Sequence, residues 1–178
     1  LVMTRFLFNA HTWSWLPDEL IHTWESGLRP MLYRLARPHL RGQPPFEFDV
    51  TTLCGLCGIL PPRDQLHLAR LRYFRRLVMH CPATHWHALS QVRNEPGTWL
   101  FLLHESFAWL AKFSHRLFGL TADSTWIDWL TVVQMDGRWK GHLKRAAKSC
   151  VAYHQANALT AVWQLWFQRT LTKDRKSV

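Results

Sequence analysis

The stretch Gly137–Leu171, GRWKGHLKRAAKSCVAYHQANALTAVWQLWFQRTL, decides the fold class. It contains no proline and no acid. Its apolar residues recur at the helical period, with Trp139, Leu143, Ala146, Cys150 and Tyr153 on one face at about 100° per residue. The spacing predicts one long helix from Gly137 toward Leu171. Arg138, Lys140, Lys144, Arg145 and Lys148 fall on the opposite half. Lys140, Lys144 and Lys148 form a like-charged i,i+4 row, which repels itself by a few tenths of a kcal/mol per pair. Phosphates would relieve that repulsion.

Working outward, the rest of the chain carries the same period. Leu20, Trp24, Leu28, Met31, Leu32 and Leu35 mark a helix that Pro17 suits at its first turn and that Pro30 should kink or divide. Asp49 or Thr51 can cap a short helix through Cys57, which Gly58 ends. Pro62 opens a helix running to about His80, and two more are expected near Ala83–Val92 and Thr98–His115. Asp123 or Ser124 caps another at Trp126–Met135. Breaks fall near 38–48, 58–62, 94–98 and 136–137, where proline and glycine cluster. No segment alternates with period 2. The fold class is therefore all-α, an irregular multi-helix bundle with a long C-terminal helix, organised as residues 1–94 and 95–178.

In the Pro62–His80 helix, Leu66, Tyr73 and Leu77 share a face with Phe74 and Val78 beside them. Arg72, Arg75 and Arg76 lie across from them. Arg70 projects on the apolar side, where its stem packs and its guanidinium snorkels or meets a buried acceptor. The nucleic-acid-binding candidates are Arg70, Arg72, Arg75, Arg76, Arg138, Lys140, Lys144, Arg145 and Lys148.

Composition agrees with such a partner. The 178 residues hold 22 Lys plus Arg against 12 acids, a formal charge of +10, and 48% are apolar. The sequence pI is near 10.1 and the mean hydropathy is −0.17, values of a basic globular chain rather than a disordered one. No run of 18 apolar residues is present to cross a membrane. The eleven tryptophans supply core bulk and flat faces on which bases stack. The pairs Trp126/Trp129 and Trp163/Trp166 are read as core anchors. Four cysteines without a disulfide pattern point to a reduced, intracellular setting, nuclear or cytoplasmic. No signal peptide is recognised, and a chain beginning with Leu is read as a fragment.

Zinc is the competing chemistry. Cys54-x-x-Cys57, followed by His80, Cys81, His85 and His87, has spacing that thiolates and imidazoles use to close a tetrahedral site. Cys54 and Cys57 fall in an apolar turn, where small thiols are ordinary core residues. The expectation is core packing and no metal, with Cys54, Cys57, Cys81 and His85 as the ligands to watch. Cys81 with His85 as nucleophile and base lacks a group to orient the imidazole. The aspartates at 18, 49, 64, 123, 128, 136 and 174 are scattered, without the paired metal-binding carboxylates of a polymerase. No phosphate-cradling glycine loop is present. The chain is read as non-enzymatic and free of cofactors.

Thr4–Trp13, TRFLFNAHTW, resembles the Leu-Leu-Tyr-Gly-x-Glu-Thr-Trp stretch that follows the palm in LINE-type, non-LTR retrotransposon reverse transcriptases. Leu7, Phe8, Ala10, Thr12 and Trp13 match in kind, with Asn9 at the glycine and His11 at the acid. Gly58–Pro62, then Leu66 and Arg70–Val78 (RLRYFRRLV), is similar to that family's Gly-Leu-Pro-Pro … Arg-Arg-Leu-Arg-Trp-Leu-Gly-His-Val-Leu helix. Tyr73 stands at the tryptophan, and Arg75 and Arg76 stand at Gly-His. Leu28–Leu35 sits at a Leu-Arg-rich helix, and Trp139–Ala147 is similar to tail segments of such elements. The resemblance covers about the first 90 residues. It implies a helical thumb and connector that grips template–primer through basic helix faces. It also implies packing on an upstream palm absent from this sequence. An RNA–DNA hybrid or duplex backbone is the expected partner, since hybrids are held by shape and phosphate contacts. The alternative is a helical protein- or membrane-surface-interaction module with no nucleic-acid role.

Overall fold

The computed structural model describes residues 18–82, 84, 98–114, 120, 124–135 and 137–174. Among the described residues six helices follow one another: α1 Asp18–Ala36, α2 Val50–Leu56, α3 Pro62–His80, α4 Trp99–Phe113, α5 Trp126–Met135 and α6 Trp139–Asp174. Short 3-10 turns occupy Arg37–His39 and Pro45–Glu47. No strand occurs among the described residues. The fold is all-α with a long C-terminal helix. The segment resembling the post-palm motif, the helix expected near Ala83–Val92, and His85 and His87 lie outside the described residues.

Local chemistry explains the boundaries. Asp49 caps α2, its carboxylate accepting from Thr52 N–H at 2.8 Å, and Gly58 beyond its end takes the left-handed φ of 65°. Thr98 caps α4 by accepting from Phe101 N–H. Asp123 or Ser124 was the expected cap of α5, but Thr125 fills that role. Its hydroxyl oxygen accepts from Asp128 N–H at 3.3 Å while the Asp128 carboxylate accepts from Thr125 N–H at 2.8 Å. This reciprocal pair is a capping box. Thr125→Ala should therefore cost about 1 kcal/mol, read as a fall in Tm that Thr125→Ser reverses.

Pro30 does not divide α1, which runs through it. The lost hydrogen bond leaves Ser26 C=O without its N–H, and Ser26 and Pro30 are both exposed, so water can serve the carbonyl. The buried line of α1 is Trp24, Leu28, Leu32 and Ala36, whereas Leu20, Met31 and Leu35 face out. The expected stripe was too wide by one row.

The chain forms two compact units that do not follow the expected boundary at 94–95. The first comprises residues 63–149 with the start of α1. The second comprises His22–Pro62 with the chain from Cys150 onward. In the first, Phe107 on α4 stacks on Trp129 of α5 (4.7 Å between centroids, 3° between planes) and meets Phe74 of α3 edge-on at 5.1 Å. Trp139 of α6 donates its Nε1–H to Leu71 C=O at 3.3 Å. These contacts explain why α3 joins the later helices. In the second unit, α2 meets α6 so closely that a Cβ on Gly55 would lie 2.5 Å from His154 O. Arg29 donates to Phe48 C=O at 2.9 Å and so ties α1 to the loop before α2.

Candidate nucleic-acid interface

The opening turns of α6 separate charge from core. Trp139, His142, Leu143, Ala146 and Cys150 are buried. Arg138, Lys140, Lys144, Arg145 and Lys148 are all exposed. Tyr153, placed on the apolar face by periodicity, is instead exposed. The buried line continues through Ala158 and Val162, because a ridge of four-residue steps drifts off the face that 3.6-residue steps would hold.

His142 was not among the candidates, yet it positions one of them. Its Nδ1 lies 2.9 Å from an Arg145 guanidinium nitrogen. A guanidinium has only donors, so Nδ1 accepts and the imidazole carries its proton on Nε2. A buried histidine thus fixes an exposed cation. No sequence pattern marks this arrangement, because an i,i+3 His–Arg spacing is common on any helix.

On α3, Arg72 and Arg76 are exposed and Arg75 is half-buried. The Trp139–Leu71 hydrogen bond sets this helix against the start of α6, within the same unit. None of Arg72, Arg75, Arg76, Lys140, Lys144 and Lys148 belongs to an ion pair among the described residues. The core side of α3 is also shifted from expectation. Leu66, Leu71, Phe74 and Val78 are buried, with Leu71 and Phe74 fully so, while Tyr73 and Leu77 are half-buried.

Arg70 is a correction. It is 5% exposed, its Nε has no hydrogen-bond partner among the described residues, and burial lowers its pKa while Glu105 opposes that shift. It therefore lies in the core and not among the exposed cations. Near it, His67 stacks on Trp109 and sits 3.1 Å from Ser106 Oγ. The Ser106 hydroxyl donates to Leu102 C=O, so the His67 Nδ1–H must donate to Ser106. Trp109 Nε1–H donates to Asp64 at 2.6 Å. Burial, then the Arg70 charge, holds the His67 pKa down to about 4.

The metal candidates are placed as core or apart from it. Cys54 is fully buried. Cys57 is half-buried, its thiol donates to Leu32 C=O at 3.8 Å, and burial raises its pKa. Cys81 is half-buried beyond the end of α3. Trp129 is a core anchor, but Trp163 is 39% exposed and Trp166 half-buried, so that pair is surface. Among the described residues no helix is long and apolar enough to cross a membrane. No protein-family model, no curated protein and no solved structure matches the chain.

Proposed function

We propose that this chain is a non-catalytic nucleic-acid-binding segment that grips duplex or hybrid backbone through the basic faces of α6 and α3. The resemblance to the thumb and C-terminal region of LINE-type reverse transcriptases supports the same reading. The observation that carries it is the first third of α6, where every exposed charge is positive and the opposite side is buried core. A solvated face ordinarily mixes signs, because an i,i+4 acid would stabilise the helix that a second lysine destabilises. Here the repulsion is retained along Lys140, Lys144 and Lys148, and α3 adds Arg72 and Arg76, with no acid between Gln65 and His80. Phosphates every few ångströms along a duplex supply the missing countercharge.

If about four to six phosphates are neutralised, the log of the binding constant should fall against log salt with a slope of about −4 to −5. Lys144→Ala with Lys148→Ala should flatten that slope by about one to two units, equally for all sequences. Helicity should survive, because both positions are exposed and alanine is the better helix former. Unchanged binding at every salt concentration would remove α6 from the interface. Anionic vesicles bound in place of nucleic acid would favour the surface-interaction reading.

A further inference from the structure

We propose that the second unit carries a separate site for single-stranded nucleic acid, where Arg34 and Arg37 hold phosphates and the Trp163–Trp166–Phe167 cluster stacks unpaired bases. The proposal rests on the nucleic-acid reading above for its polymer, but on none of the same residues. The three rings form one surface group, with Trp163 and Trp166 5.7 Å apart, Trp166 and Phe167 5.2 Å apart, and Phe167 55% exposed. Leu159, one turn earlier, is exposed as well. Large rings left in water on a helix that buries its other side call for a flat apolar partner.

The charge beside them says which partner. Arg41 places its guanidinium 3.7 Å from the centre of the Trp163 ring. Its backbone takes a left-handed φ of 50°, followed by Gly42 at 75°. A side chain other than glycine is uncommon there, so this turn holds Arg41 at some backbone cost. The same turn lines an open cavity of about 530 Å³ together with Tyr33, Arg34, Arg37 and Gln43. Arg34 and Arg37 are exposed, while Gln43 is 7% exposed and its Oε1 has no hydrogen-bond partner among the described residues. No acid occurs from Ser26 to Phe46 in the sequence, and the next one, Glu47, is paired with Arg169.

A groove with two guanidiniums, an aromatic wall and an amide, lined by the two neighbours of the arginine that reaches Trp163, has the elements that single strands use. Cations follow the backbone and rings take the bases. A duplex keeps its base faces stacked inside and offers nothing to Trp163 or Phe167. A bilayer would suit cations rimming the apolar face, whereas here Thr160, Gln164 and Gln168 flank it along α6 and two of the cations line a recess.

The test uses the full chain with a labelled thymidine dodecamer, the same strand paired with its complement, and phosphatidylglycerol vesicles. Phe167→Ser should weaken the single strand about tenfold, the loss expected when one stacked base is released, and leave the duplex unchanged. Arg34→Gln with Arg37→Gln should flatten the single-strand salt slope by about 1.4 units, at about 0.7 per phosphate. Trp163→Leu should act like Phe167→Ser. Should it lose helicity, the exposed Phe167 and arginine substitutions still decide the matter. Lys144→Ala with Lys148→Ala should instead weaken the duplex, so failure of either reading is seen separately. Dodecamer binding equal to the parent in the Phe167 and arginine variants overturns the proposal. So does a loss confined to the vesicles, which would mark a lipid surface.

Discussion

Gly55→Ala is expected to destabilise the second unit by about 2–3 kcal/mol, the upper part of the range of about 1–3 kcal/mol in which forced overpacking falls. The added Cβ would sit 2.5 Å from His154 O, 2.8 Å from its carbonyl carbon and 3.0 Å from Ala158 Cβ. A side chain could rotate away, but a helix carbonyl cannot, so α2 and α6 would have to move apart. That movement opens the packing around Leu53 and Cys54, both fully buried. Helix propensity acts in the opposite direction, by up to about 1 kcal/mol for Gly→Ala. Gly27→Ala makes the control, since it is an exposed position inside α1 with nothing within 4 Å of the new Cβ. It should stabilise by about 0.5–1 kcal/mol. Urea unfolding of the two variants should move the midpoint in opposite directions; equal shifts would mean that the close approach of α2 to α6 does not govern the unit.

Acid should weaken the first unit through His67. Its folded pKa is held down to about 4 from an ordinary 6.5, so the fold keeps the ring neutral where an unfolded chain would take up a proton. Between those values the unfolded state binds more protons, and stability must rise with pH. The contribution is complete above about pH 6.5 and is lost as pH falls toward 4, amounting to about 3 kcal/mol at 1.4 kcal/mol per unit. Protonation sets a second cation beside Arg70 in a half-buried stack on Trp109. His67→Gln should flatten the stability profile from pH 6.5 to 4. The slope persisting in that variant would assign it to other groups.

The helical character and most boundaries were legible in the sequence because they depend on local chemistry. Asp49, Pro62, Thr98 and Gly58 act within one turn of themselves. The division into units was not legible, because it depends on which helix each apolar face meets. Nothing in residues 62–80 states that Leu71 will accept from Trp139. The exposed cations of α6 could be read directly, since a helix with one strongly apolar side must turn the other outward. Arg70 could not be settled, because its position on the apolar side allows both snorkelling and burial. Trp163 and Trp166 were misjudged for a related reason. A tryptophan in a helical pattern is ordinarily core, and only the packing of Ala158 and Val162 shows which side of α6 is inward. Arg41 carried no signal at all, since its reach to Trp163 follows from a turn conformation.

The second unit is built from His22–Pro62 and the chain beyond Cys150, with residues 63–149 between them. On a ribosome, α1 and α2 therefore emerge before the helix against which α2 packs has been made. At about 5–20 residues per second, roughly 5–20 s separate the synthesis of α2 from that of Ala158 and Val162. Through that interval the buried side chains of this unit, Trp24, Leu28, Leu32 and Leu53 among them, lack the part of their core that Ala158 and Val162 supply. Residues 63–149 form a contiguous stretch that can collapse in the meantime. The nascent chain thus completes its middle portion, residues 63–149, before its first helices are covered, and those helices are the segment that a holding chaperone would meet.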